Sequence, residues 1–111
     1  MTRKFYDTLI EHLKDKEYAR EYLMGALEAY DEDSNIEAFL TAIRDITKAQ
    51  GGFSRLAKKT SLNRSNLYTQ LSARGNPSFQ TIDTVLHGLG FRLTIQPVNN
   101  KYSPSLHKQS I

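Results

Sequence analysis

The stretch FSRLAKKTSLNRSNLYTQLS, residues 53 to 72, combines side chains and spacings that suit one kind of chemistry, the reading of a polyanion. Across the slightly wider window from 51 to 77 there are five basic residues, Arg55, Lys58, Lys59, Arg64 and Arg74, and no acidic one. Apolar residues fall at helical spacing on either side of a polar break, so the segment reads as helix, tight connection, helix. Ala57 is small where two helices must cross, Ser61 stands where glycine often makes the turn, and Leu62 plugs the corner. Leu67 and Leu71, four apart, anchor the second helix. In a helix-turn-helix of this spacing the second helix offers its N-terminal residues to base edges in the major groove, and the first crosses the backbone.

The outward positions fit that use. Arg64, Ser65, Asn66, Tyr68 and Thr69 are the candidate base readers. An arginine can donate a bidentate pair to guanine, an asparagine can pair with adenine, and a hydroxyl serves either. Ser54, Arg55, Lys58, Lys59, Arg74, Asn76 and Ser78 are candidates for phosphate contacts, which orient a protein on the duplex without reading sequence. Catalysis has little to work with. The chain has no cysteine, and His12, His87 and His107 stand singly, without metal-ligand spacing, a nucleophile–base motif or a phosphate-cradling glycine loop. No cofactor and no enzymatic activity are expected.

Charge divides the chain in the same place. Residues 1–50 hold seven Lys/Arg against eleven Asp/Glu, net −4, whereas 51–111 hold eight against the single acid Asp83, net +7. Opposite signs on the two halves of a 111-residue chain imply two faces with different partners, the basic one suited to nucleic acid. A chain of this length closes one modest core. It has no apolar run near the roughly 20 residues a spanning helix needs. Acids interrupt its first residues, unlike a signal-peptide core. Without cysteines or such segments, a soluble cytoplasmic protein is expected.

The elements that must position these residues follow from periodicity. Phe5, Leu9 and Leu13 predict a helix over 4–14, and Asp15 caps a second that carries Tyr18, Tyr22, Leu23, Ala26, Leu27 and Tyr30. Ser34 with Glu37 reads as a capping box opening a third helix, which Gly51 and Gly52 stop. Ser54 is the expected cap of the fourth helix, Asn63 of the fifth and Ser78 of a sixth that ends at Gly90. Phe91, Leu93 and Ile95 alternate with polar residues, which predicts a strand ending at Pro97. A lone strand needs a partner, and a second copy of the chain would supply one. Three parts result: acidic N-terminal helices over 1–50 on a shared core, the helix-turn-helix region with its strand over 51–97, and a flexible tail over 98–111.

Residues 39 to 98 closely resemble the addiction-module antidote family, the HigA-like antitoxins with a lambda-repressor-type helix-turn-helix. SRLAKKTSLNRSNLY, GNPSFQTI and LGFRLTIQP carry the likeness, and the upstream EYLMGALEAY extends it to about four fifths of the chain. The resemblance implies an all-α, compact five- to six-helix lambda-repressor-like domain followed by a single C-terminal β-strand. It also implies a homodimer that binds its own operator in double-stranded DNA, represses its operon and neutralises a RelE/ParE-type toxin. Toxins of that class are basic, so Glu28, Asp31, Glu32, Asp33 and Glu37 are the candidate toxin-facing residues by charge complementarity. A stand-alone phage-type regulator and a helical protein-interaction module are the alternative readings; an adjacent toxin gene and the salt dependence of binding separate them.

Overall fold

The computed structural model describes residues 2–98, which form six helices and, among the described residues, no strand. They are α1 Arg3–His12, α2 Lys16–Asp33, α3 Glu37–Ala49, α4 Gly52–Thr60, α5 Arg64–Gln70 and α6 Phe79–Gly88. The fold is all-α. Helix α3 is its axis: Phe39, Leu40, Ala42, Ile43, Ile46 and Ala49 are buried along it, and α1, α2 and α4 pack against it. Helix α4 in turn carries α5 and α6. One apolar cluster therefore runs from Leu9 through Leu40, Ile43 and Ile46 to Leu71 and Val85.

Two polar residues of α3 are buried: Thr47, whose hydroxyl donates to the Ile43 carbonyl at 2.8 Å, and Asp45. The Asp45 carboxylate on α3 is buried, and accepts hydrogen bonds from the Tyr6 hydroxyl of α1 at 3.3 Å and the Tyr22 hydroxyl of α2 at 3.1 Å. Burial, then the neighbouring Asp45 charge, pushes the Tyr22 hydroxyl up to about 12, so it remains a donor throughout the neutral range. A buried carboxylate that lost both donors would be costly, so the pair fixes how α1 and α2 seat on α3.

Several helix ends follow the sequence. Asp15, Asn63 and Ser78 each accept from a backbone N–H of the first turn, as expected of N-caps. Gly51 follows α3 at φ 114°, a backbone open to glycine and strained for other residues. Others differ. The first helix occupies Arg3–His12, with Thr2 as its cap. Ser34 takes a left-handed conformation to end α2, so it cannot form the capping box; Asn35 Oδ1 instead accepts from Glu37 N at 2.9 Å. Ser54 lies inside α4, whose N-cap is Gly51.

The larger correction concerns residues 91–98, which have no regular secondary structure. The strand expected through Phe91, Leu93 and Ile95 is absent from the described residues. The alternation is real, but its cause is packing against helices: Phe91 and Leu93 lie half-buried on the core, while Ile95 is 99% exposed. No neighbouring strand offers a ladder, and Phe91 N donates to Leu86 O at the end of α6, 2.8 Å away. The expected tail lies, Val98 apart, outside the described residues.

Candidate nucleic-acid interface

Helix α5 has seven residues, too few to hold its shape alone. Four contacts hold it. Asn63 Oδ1 accepts from Asn66 N at 3.0 Å, Leu67 and Leu71 are buried to 1% and 0% exposure, and the Arg44 guanidinium on α3 donates to the Leu71 carbonyl. Arg44 also donates to Thr41 Oγ1 at 3.0 Å, and its charge stands where the free carbonyls of a helix end favour a cation. The sequence pattern had not singled out Arg44, since a basic residue in an amphipathic helix ordinarily reads as solvated surface.

The connection from α4 turns at Ser61, at φ 60°, one of two non-glycine residues in left-handed conformation among those described. Thr60 Oγ1 donates to the Leu56 carbonyl at 2.8 Å and accepts from Leu62 N at 3.3 Å, which locks the turn. After α5 the chain doubles back through Gly75. A Cβ there would lie 1.9 Å from the Gln70 carbonyl oxygen, so only glycine fits under the end of α5. That close approach brings Asn76 and Ser78 beside the helix.

The candidate base readers Arg64, Ser65, Asn66, Tyr68 and Thr69 are all exposed. Tyr68 is held by an edge contact to Phe53, ring centroids 5.4 Å apart, with 58% of the residue still in solvent. The candidate phosphate contacts separate into groups. Asn76 and Ser78 line a groove with Asn63, Asn66, Gln70 and Thr81, between α5 and the start of α6. The Ser78 hydroxyl there accepts from Thr81 N at 3.1 Å, so its first task is capping. Ser54 and Lys58 are exposed on α4, and Arg74 is exposed in the loop after α5. Arg55 and Lys59 instead line a cleft with Lys14, Lys16, Gly51 and Gly52. Burial, then the charges of Lys59 and Arg55, lower the Lys16 ammonium from its ordinary value. Among the described residues, none of Arg55, Lys58, Lys59, Arg64 and Arg74 forms an ion pair.

The acidic candidates lie elsewhere. Glu28, Glu32, Asp33 and Glu37 are exposed and Asp31 is half-buried, at the far end of the α2–α3 hairpin. Asp31, Glu32 and Asp33 fill the last turn of α2, without a basic residue, where the helix end is already partly negative. Beside them Met24, Leu27, Tyr30 and Ile36 are 38–46% exposed. Periodicity assigned Leu27 and Tyr30 to a packing face, and it could not tell that the core ends before reaching them.

No group of three or more potential metal ligands occurs among the described residues, and none of their helices is long and apolar enough to cross a membrane. Residues 2–97 match the family model described as "Probable addiction module antidote protein". A Haemophilus influenzae protein, named only "Uncharacterized protein", is 34% identical over 97 residues, covering 86% of this chain and 95% of that one. No solved structure matches the chain.

Proposed function

The chain belongs to the addiction-module antidote family, and from that premise we propose that it is a DNA-binding antitoxin that represses its own operon and neutralises a RelE/ParE-type toxin. An antidote is a regulatory protein, not a catalyst, and nothing in its role calls for a cofactor. The observation that carries the DNA part is the α4–α5 pair: a short, well-anchored helix presenting Arg64, Ser65, Asn66 and Thr69 to solvent, flanked by cations without carboxylate partners. Such a pair supports the reading as a lambda-repressor-type helix-turn-helix of the HigA kind. Two copies binding together would set two α5 helices about 34 Å apart on successive turns of the major groove.

The toxin part rests on the hairpin tip. Acids at the C-terminal end of a helix and half-exposed apolar side chains beside them both cost stability, and a basic partner with an apolar patch would relieve both. Glu28, Asp31, Glu32, Asp33 and Glu37 would supply the charges of that surface, and Leu27, Tyr30 and Ile36 its apolar contacts.

The test is fluorescence anisotropy of the purified protein on the duplex upstream of its own gene, against a scrambled duplex, at two salt concentrations. Preference for its own promoter, weakened by salt, is the expected result. Arg64→Ala should then lose about 1–3 kcal/mol of discrimination at one position in each half-site, while Lys58→Ala weakens all sequences alike. Equal affinity of the wild-type protein for both duplexes would sink the operator reading.

A further inference from the structure

The cleft that takes Arg55 and Lys59 away from the rest of the candidate interface has a composition that asks for an anion. It measures about 430 Å³ and draws its cations from two separate parts of the chain: Lys14 and Lys16 from the α1–α2 junction, Arg55 and Lys59 from α4. No acidic residue lines it. Lys14 stands at the rim, where it also pairs with the exposed Glu11 at 2.9 Å, a contact of little strength in water. Lys16 is held from behind: its ammonium donates to the Leu89 carbonyl and lies 5.4 Å from the centre of the Phe91 ring. An ammonium has three donors, and the carbonyl takes one. Arg55 folds back over Gly51, so closely that a Cβ there would lie 2.4 Å from its Cδ. Burial first, then the charges of Lys59 and Arg55, lowers the Lys16 ammonium from its ordinary value.

Position decides which anion. Helix α4 is about 13 Å long, and the cleft lies along it from Gly51 and Gly52 at its start to Lys59 in its last turn, next to the connection that leads to α5. A major groove is about 12 Å wide. With the N-terminal end of α5 in the groove, the cleft comes within reach of the sugar–phosphate backbone at its edge. We propose that Lys16, Arg55 and Lys59, with Lys14 at the rim, form a clamp for one phosphodiester of the operator duplex, so that the α1–α2 junction is part of the DNA-binding surface. This rests on the operator reading above and adds to it two residues from the acidic half of the chain.

The test compares the full-length protein with a Lys16→Gln/Arg55→Gln double variant on the promoter and scrambled duplexes, over a salt series. One phosphate lost should lower the log–log salt slope by about 0.9 on both duplexes, a loss of roughly 3- to 4-fold between two salt concentrations that differ fourfold. The ratio of promoter to scrambled affinity should not change. Lys16→Arg, which keeps the charge, should keep the slope, and its unfolding curve should match the wild type. Lys14→Gln, exposed and remote from the core, should give a smaller change in the same direction. Phosphate-ethylation interference provides the second reading: ethylating one phosphate flanking the half-site should weaken the wild-type protein and leave the double variant unaffected. A double variant that keeps both the wild-type slope and the wild-type interference pattern overturns the clamp and leaves the operator reading standing. A wild-type protein with no salt-dependent DNA binding overturns both. Were that protein to bind polyglutamate through the same residues, the cleft would be the seat of an acidic peptide, and the clamp would again be wrong.

Discussion

The α4–α5 pair and the tip of the α2–α3 hairpin are built on opposite plans. In the first, local rules agree with one another: Asn63 caps α5, Leu67 and Leu71 are buried beneath it, and Arg44 meets its last carbonyls. The tip breaks them. Three acids crowd the wrong end of α2, the N-cap position of α3 is an isoleucine that can make no side-chain cap bond, and Leu27, Tyr30 and Ile36 remain partly in solvent. A surface that reads a fixed lattice of base edges gains from rigidity, whereas one that meets another protein can leave apolar area uncovered until the partner arrives.

The largest effect that separates the two comes from cutting the same side chain in each. Leu71→Ala removes a side chain with 0% exposure and should cost about 2–5 kcal/mol of folding stability. Leu27→Ala, at 38% exposure, should cost less than about 1 kcal/mol. Binding should order them the other way for the toxin, Leu27→Ala losing affinity at unchanged stability. Chemical denaturation paired with toxin titration checks both. Equal destabilisation by the two variants would mean that the tip is core after all, and the contrast would collapse.

Next in size is Gly75→Ala. Its Cβ would meet the backbone of Thr69 and Gln70, which cannot swing aside as a side chain can, so a cost of about 1–3 kcal/mol is expected. The change should also move Asn76 and weaken DNA binding beyond what stability explains. A variant as stable as the parent would show that the loop after α5 has freedom the structure does not give it.

How much of this could be read from the chain depends on whether a feature is local. Asp15, Asn63 and Ser78 declared themselves as caps because the acceptor and its N–H are three residues apart. Ser34 and Glu37 have the same spacing, but Ser34 had already been taken to terminate α2, and spacing cannot rank two uses of one residue. Alternation over Phe91 to Ile95 reported one buried side, which a strand and an extended segment lying on helices share; the difference is a neighbouring backbone that sequence does not show. Among site residues, exposure of Arg64, Ser65, Asn66, Tyr68 and Thr69 followed from the Leu67 and Leu71 register. The convergence of Lys14 and Lys16 on Arg55 and Lys59 did not, because it joins segments about forty residues apart through tertiary packing alone.

A smaller effect should appear in the charges of the tip. Asp31→Asn with Glu32→Gln removes two carboxylates from the last turn of α2 and should raise stability by about 0.3–1 kcal/mol for each. Toxin binding should weaken at the same time, most clearly at low salt, where exposed charges act at their longest range. Gains in stability without loss of binding would leave the acids as surface charge only and place the toxin elsewhere.

The smallest effect tests whether the rigid half is itself free of strain. Ser61 makes the helix-turn-helix connection at φ 60°, ψ 25°, where an L-residue costs about 1–2 kcal/mol. Ser61→Gly removes that cost but adds conformational freedom to the unfolded chain, of roughly 0.5–1 kcal/mol, so a net gain of only about 0.5–1 kcal/mol should remain. Because the turn sets the angle between α4 and α5, a gain in stability with unchanged operator affinity would mean that Thr60, Leu62 and Asn63 hold that angle through their own hydrogen bonds and packing. A gain accompanied by weaker, less selective DNA binding would mean that the strained serine is itself part of what aims α5.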